Sequence, residues 1–122
     1  MKLIEAINKI DYAKPNNLTT EQKIDLISRL DAQVKANVID VHENAKTGDF
    51  KPYTADDMSK DLLIEFPYDD IYQLYLASQI DLANNEYERY SISSTVFNKA
   101  FNEYERAYNR ENMPTSREFR FF

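Results

Sequence analysis

Aromatic side chains recur at helical spacing between Phe66 and Pro114, and this pattern constrains the fold more than any other feature of the chain. Acids and amides fill most of the intervening positions, so the pattern predicts helices that are apolar on one side and solvated on the other. The aromatic residues at this spacing are Tyr72, Tyr75, Tyr87, Tyr90, Phe97, Phe101, Tyr104 and Tyr108. Such surfaces suit packing against a partner better than they suit reaction chemistry.

The composition favours a single all-α domain. The 122 residues include one Gly and four Pro, and they are rich in good helix formers such as Leu, Ile, Ala, Glu and Lys. We expect a small helical bundle of about four helices, two of them long, with residues 1–114 forming the domain and 115–122 an extended C-terminal tail. Because the chain has no Cys, its folding cannot depend on disulfides, and folding in the cytoplasm is expected.

Apolar spacing places the first two helices. Leu3, Ile4, Ile7 and Ile10 predict a short first helix, which Pro15 interrupts. Thr19, with Gln22 three residues later, forms a capping-box pattern at the start of a second helix, which should reach about residue 45. Residues 46–54 contain the only Gly and predict an exposed loop or, alternatively, a hairpin.

The second half of the chain predicts a helical turn and two further helices. Leu62-Leu63-Ile64 is interpreted as the short helical turn. Pro67 can open a helix, so the third helix is predicted from about Tyr68 to Tyr90. The Ser- and Thr-rich residues 91–95 can either interrupt a helix or lie within one, and we favour a break. The fourth helix then begins near Ser94 and ends at about residue 112, before Pro114.

Short motifs in both halves of the chain resemble one family of viral proteins. In the N-terminal half these are Lys14-Pro15-Asn16, Glu21-Gln22-Lys23-Ile24, Leu30-Asp31 and Val41-His42-Glu43; the C-terminal half adds the aromatic helices. Together they resemble the small head-to-tail connector (adaptor) proteins of tailed bacteriophages and prophages. The resemblance implies a structural virion protein of the phage neck, made in the bacterial cytoplasm and without enzymatic activity.

The same resemblance implies the partners. The subunit would form a ring, dodecameric to match the twelvefold portal, between the capsid portal protein and a stopper or tail-completion protein. The ring would extend the channel for double-stranded DNA without binding it specifically. The net charge of −6 agrees, because tight binding to DNA phosphates needs an excess of Lys and Arg. No membrane partner is expected, since no apolar run approaches about 18 residues.

Two groups of residues are candidates for these contacts. For subunit contacts the candidates are Tyr87, Tyr90 and Tyr104. Nine Tyr are many for one small core, which cannot easily provide partners for all of their hydroxyls. A place in the core and a place in a subunit interface are equally expected for these tyrosines. For portal docking the tail is selected, as the resemblance implies; its candidate residues are Arg117, Phe119, Arg120, Phe121 and Phe122. An ordinary frayed terminus is the alternative for this tail.

Two other function classes stay open. A metal-dependent all-α phosphohydrolase could use Asp57, Asp61 and Glu65 if they share a helix face, together with acids around Glu86, although a solvated acidic surface explains the same residues. A small phage effector that binds a host protein would use the same aromatic surfaces without a ring. The sequence indicates no nucleophile that could act with the single His42, so we expect no catalytic residue, metal or cofactor.

Overall fold

A computed structural model of the protein describes residues 1–39 and 50–111, and these residues form an all-α bundle. Its α-helices are α1 (Leu3–Ala13), α2 (Thr20–Val34), α3 (Ile71–Ala83) and α4 (Tyr87–Glu111). A π-helical turn at Lys35–Ile39 extends α2, and 3-10 turns occupy Ala55–Asp57 and Tyr68–Asp70. Within these ranges there is no strand, only an isolated bridge between Lys2 and Asp61. The predicted all-α class with four helices is confirmed.

The first two helices follow their sequence patterns. The apolar side of α1 is buried in the core, with Leu3 and Ile10 almost fully covered. At the start of α2, the backbone N–H of Gln22 donates to Thr19 Oγ1 at 3.1 Å, and the N–H of Thr19 donates to Gln22 Oε1 at 2.8 Å. This reciprocal pair is the predicted capping box. Residues 40–45, the predicted end of the second helix, lie outside the described residues.

Helix α3 is the centre of the bundle because α1, α2 and α4 all pack on it. Buried residues occur around its circumference, including Ile71, Tyr72, Leu76 and Ile80, as expected for a helix enclosed by neighbours. Pro67 caps the 3-10 turn that leads into it, and Asp69 and Asp70 lie in that turn. The predicted helix-opening position of Pro67 is therefore confirmed.

The predicted boundary between the third and fourth helices is wrong. Helix α3 ends at Ala83 rather than near Tyr90, because Asn85 adopts a left-handed conformation with φ of 59°. The N–H of Glu86 donates to the carbonyl of Asp81, and the N–H of Asn85 donates to the carbonyl of Leu82. These are the two hydrogen bonds of a Schellman motif, which ends a helix by satisfying its last carbonyls.

The Ser- and Thr-rich residues 91–95 lie inside α4 and do not break it. Two of their hydroxyls bond back to a carbonyl in the preceding turn: Thr95 Oγ1 donates to the carbonyl of Ser91 at 2.7 Å, and Ser94 Oγ donates to the same carbonyl at 3.2 Å. Such bonds let hydroxyl side chains remain within a helix. The fourth helix therefore begins at Tyr87, seven residues before the predicted start near Ser94.

Residues 50–64 cross the bundle without forming the helical turn predicted at Leu62–Ile64. The N–H groups of this stretch instead bond to other parts of the chain; that of Leu62 donates to the carbonyl of Met1 at 2.9 Å. The stretch also provides acceptors for the first turn of α1: the carbonyl of Lys60 accepts the N–H of Leu3, and the carbonyl of Met58 accepts the N–H of Ile4. Tyr53 is buried, so the part of the predicted 46–54 loop that is described is not wholly exposed.

The position of the break between α3 and α4 can be tested at Asn85. Replacement by Ala should destabilise the protein by about 1 kcal/mol, because a Cβ without a polar side chain is disfavoured in the left-handed region, whereas Gly should be neutral or better. The matched control is Asn84→Ala, since Asn84 has φ of −86°. Urea unfolding would measure all three variants, and equal values for the two Ala variants would contradict the assignment.

Candidate functional site

The carboxylate of Asp31 is buried at the junction of α2, α3 and the crossing stretch 50–64. Its side chain is 0% exposed. The hydroxyls of Tyr53 and Tyr72 each donate to it at 2.6 Å, and the N–H of Leu63 donates at 3.2 Å. The Tyr72 hydroxyl also accepts the N–H of Ile64 at 2.8 Å. This Asp31 network fastens an irregular stretch of chain to two helices.

Burial governs the protonation of this network. Desolvation raises the pKa of Asp31, while the hydrogen bonds from Tyr53, Tyr72 and Leu63 act in the opposite direction. Burial and the neighbouring carboxylate also raise the pKa of both tyrosines, which keeps their hydroxyls protonated as donors. Because the carboxylate is enclosed by its donors and reaches no solvent, the arrangement is suited to holding the fold together rather than to attacking a substrate.

A second buried carboxylate, Asp81, links three helices. The ammonium of Lys14, just after α1, lies 2.5 Å from Asp81 Oδ1, and Ser93 Oγ on α4 donates to Asp81 Oδ2 at 2.8 Å. Burial alone would raise the pKa of Asp81, but the bonds from Lys14 and Ser93 and the charges of Lys14 and Arg89 outweigh it, so the pKa lies below its ordinary value. Another ion pair, between Asp11 and the buried Lys23, joins α1 to α2.

The acids proposed for the alternative metal site do not come together. The stretch from Asp57 to Glu65 is not an α-helix, so Asp57, Asp61 and Glu65 share no helix face. Asp57 accepts the N–H of Thr54 at 2.8 Å, and Glu86 pairs with Arg89 at 3.2 Å. Across residues 1–39 and 50–111, no group of three or more His, Cys, Asp or Glu side chains is arranged to hold a metal ion. His42 lies outside those ranges.

Aromatic rings form a continuous row between α3 and α4. Along α4 the ring centroids of Phe97 and Phe101 are 5.8 Å apart, and those of Phe101 and Tyr104 are 6.2 Å apart. Tyr75 on α3 meets Phe97 at 5.1 Å, and Tyr68 meets Tyr104 at 5.8 Å. These tilted contacts, with Tyr108 beyond Tyr104, attach the outer helix to the body of the protein.

The three tyrosines selected for subunit contacts fall into different environments. Tyr104 is 5% exposed, lies within the aromatic row and has a pKa raised by burial, so its ring belongs to the core of its own molecule. Tyr87 is 64% exposed and Tyr90 half-buried. Of the three, only Tyr87 and Tyr90 offer surface to another chain, and their role there stays a prediction. The tail residues 115–122 lie outside the described part of the chain.

Large apolar side chains are exposed at several points that the aromatic pattern did not single out. Phe66 is 85% exposed in the bend before α3, and Tyr12 is 97% exposed at the end of α1. Within residues 1–39 and 50–111 the others, besides Tyr87, are Leu82, Ile92 and Val96. Isolated exposed apolar residues are common on soluble proteins, but Phe66 is a large ring and lies beside a groove lined by Tyr68, Tyr104 and Tyr108.

Comparisons with known proteins identify no relative: no protein-family model, no curated protein and no solved structure matches this chain. The helices between residues 1 and 39 and between 50 and 111 also include none with the length and apolar character needed to cross a lipid bilayer.

The Asp31 network predicts a specific pattern of stability changes. Tyr72→Phe should lower the free energy of unfolding by about 1–3 kcal/mol, because it leaves the Ile64 N–H and one carboxylate lone pair without their partner. The same substitution at Tyr12, which is 97% exposed, should change it by less than about 0.5 kcal/mol. Urea denaturation would measure both, and similar losses at the two positions would contradict a stabilising network.

The two buried carboxylates should have opposite effects on acid stability. Asp81, with its lowered pKa, stabilises the fold above its ordinary value of 3.8 and loses that effect as the pH falls through the folded-state pKa. Asp31, with its raised pKa, favours folding most at low pH and loses that contribution as the pH rises through its folded-state pKa.

Asn substitutions would separate these contributions. Asp81→Asn should make the decline in urea midpoint on acidification shallower, whereas Asp31→Asn should make it steeper, whatever its effect on overall stability. Midpoints measured between about pH 6 and pH 2.5 would show this, since the ordinary Asp pKa lies within that window. Slopes that change in the same direction in both variants would contradict the assigned shifts.

Proposed function

We propose that this chain is a subunit of the ring that joins the capsid portal to the stopper or tail in the neck of a tailed phage. The resemblance of its sequence motifs to connector proteins supplies the viral context. The observation that carries the proposal is the pairing of a well-packed helical body with exposed large apolar side chains, above all Phe66 and Tyr87. Such a surface is suited to repeated protein contacts.

The packing of α4 supports an assembly role. Only Tyr104 and Ala107 of its 25 residues are buried, so this long helix uses one narrow side to contact α3. Ile92 and Val96, four residues apart and 68% and 46% exposed, lie on an accessible side of the same helix. A neighbouring subunit could cover this side, because closed rings are built from such contacts between two different faces of identical chains.

The charge of the chain suits a channel wall. The net charge of −6 would repel DNA passing through a ring, which prevents adhesion to the wall. In this proposal the portal is contacted by the tail, through the side chains of Arg117, Phe119, Arg120, Phe121 and Phe122. The Arg residues could pair with carboxylates of the portal, while the Phe rings enter apolar pockets.

Portal binding gives the direct test. Removing residues 115–122, or replacing Phe119, Phe121 and Phe122 by Ser, should weaken binding to portal rings of the same phage at least tenfold, since each buried ring contributes roughly 1.5–3 kcal/mol before the cost of ordering the tail. Co-sedimentation and electron microscopy of the mixture would measure this. Helical content by circular dichroism serves as the folding control.

The outcomes separate the proposal from the effector alternative. Full-length protein that forms rings on portals, with binding lost in both tail variants, supports a connector. Full-length protein that does not bind portals, and is recovered only with a host protein, would overturn it. Unchanged binding by both tail variants would remove the tail from the interface.

A further inference from the structure

We infer that the groove beside Phe66 is the docking site for the chain's own C-terminal tail, residues 115–122, in the free subunit. The groove lies between the bend at residues 65–68 and the end of α4. Docking here extends the proposed function, in which the same tail contacts the portal, and rests on it only for that second partner. Three properties support the docking: the chemistry of the groove, the composition of the tail, and the point at which the tail leaves α4.

The groove combines aromatic surface with an acidic edge. Phe66, 85% exposed, lies on one side, and Tyr68 and the buried Tyr104 form part of its wall. Its volume is about 480 Å³, which is within the range of pockets that enclose aromatic groups. Among its described lining residues the only charged ones are Glu65 and Glu111, both exposed. The groove therefore suits a segment that carries apolar rings together with positive charge.

The backbone on both sides of Phe66 is held by hydrogen bonds. The N–H of Ile64 donates to the Tyr72 hydroxyl at 2.8 Å, and the N–H of Tyr68 donates to the carbonyl of Glu65 at 2.9 Å. A ring on a backbone that is already fixed loses little conformational entropy when a second segment covers it.

The tail has the composition that this groove requires. It combines three aromatic rings with two guanidinium groups, on the residues Arg117, Phe119, Arg120, Phe121 and Phe122. Its rings match the aromatic wall, and its guanidinium groups match the carboxylates of Glu65 and Glu111. The one acid of the tail, Glu118, has cations nearby, because Arg106 and Arg110 line a depression that shares Tyr68 with the groove.

The tail begins at the groove itself. Glu111 is both the last residue of α4 and part of the groove lining. Pro114 disfavours a helical conformation at the residue before it, so the sequence predicts that the helix ends there and the chain can turn back. Phe119 follows Glu111 by eight residues, which span up to about 27 Å when extended. This length is sufficient to reverse direction and return to Phe66.

The same length excludes the other large groove, between α2 and α3, as a site for this tail. Leu82 and Ala83 in that groove lie next to the start of α4, and the 25 residues of α4 span about 37 Å. Residues 112–122 reach about 36 Å only when fully extended, which leaves no length for a turn. The groove beside Phe66 is thus the one that this tail can enter.

A small contact is sufficient within one chain. Two or three covered rings bury far less than the roughly 1,200 Å² that stable association of separate molecules requires. A short connecting segment, however, gives the tail an effective concentration in the millimolar range at the groove. Docking should therefore occur in the monomer and should not depend on protein concentration.

A tryptophan at position 66 would report the docking, because the chain contains no Trp of its own. In Phe66→Trp, removal of residues 115–122 should raise the acrylamide quenching constant of the indole fluorescence by about threefold or more, since a ring covered by protein is shielded from solvent. Replacing Phe119, Phe121 and Phe122 by Ser should have the same effect without shortening the chain.

The matched reporter is Tyr87→Trp. Tyr87 is 64% exposed and lies at the opposite end of α4, so removal of the tail should leave the quenching at this position unchanged. Circular dichroism should show the same helix content in every variant. Equal quenching at position 66 with and without the tail, or an increase that Tyr87→Trp shares, would overturn the inference.

Two further measurements test the charge and the origin of the tail. Arg117→Glu with Arg120→Glu should also raise quenching at position 66, because it places like charges beside Glu65 and Glu111. Shielding by a tail of the same chain should be equal between about 1 and 100 µM protein. Shielding that appears only as the concentration rises would assign the groove to the tail of a second copy and overturn the inference.

The fluorescence experiment needs no portal, so its outcome is separate from that of the proposed function. Tail-dependent shielding in a protein that does not bind portals would retain the docking and reject the connector role. Portal binding by a chain whose position 66 is unaffected by removal of the tail would reject the docking alone.

Discussion

The bonding of Asp31 is the constraint on which the rest of this fold depends. A carboxylate with 0% exposure is stable in a protein interior only when its oxygens have partners, and here two tyrosine hydroxyls and a backbone N–H provide them. The donors come from positions 53, 63 and 72, so satisfying one side chain brings together α2, α3 and the stretch between them. Ile64, whose N–H bonds to Tyr72 of this network, lies two residues before the exposed Phe66.

The outer helix α4 depends on a different set of contacts. The row of rings from Phe97 to Tyr108 attaches it to the body, while Ser93 bonds to the buried carboxylate of Asp81 near its other end. Most of the helix surface is left accessible, including Ile92 and Val96. The aromatic residues of α3 and α4 thus fall into two groups. Most of them pack between the two helices, whereas Tyr87 is exposed at the start of α4.

Local patterns in the sequence predicted the helices well, and contacts between distant residues explain what the patterns missed. The capping box at Thr19 and the apolar spacing of α1 depend on neighbours within a few residues, so they can be seen directly in the chain. The end of α3 depends on Asn85 taking a left-handed conformation, which Asn adopts more readily than most residues, so the adjacent Asn84 and Asn85 were the sequence signal for this break and the hydroxyl-rich residues 91–95 were not. The role of Asp31 could not be predicted, because an acid within an apolar helix pattern gives no indication of the tyrosines that will meet it. Likewise, Tyr104 and Tyr87 carry the same side chain at similar spacing, and only packing distinguishes the buried ring from the exposed one.

The hydrogen bond from Ile64 to the Tyr72 hydroxyl has a consequence for dynamics. Residues around Ile64 form no helix or strand, and backbone amides in such stretches usually exchange their protons with solvent quickly. This amide is instead enclosed with a 0% exposed side chain, and its acceptor is fixed by Asp31. Deuterium should therefore enter it only when α2 and α3 separate, so an irregular segment reports the cooperative opening of the whole core.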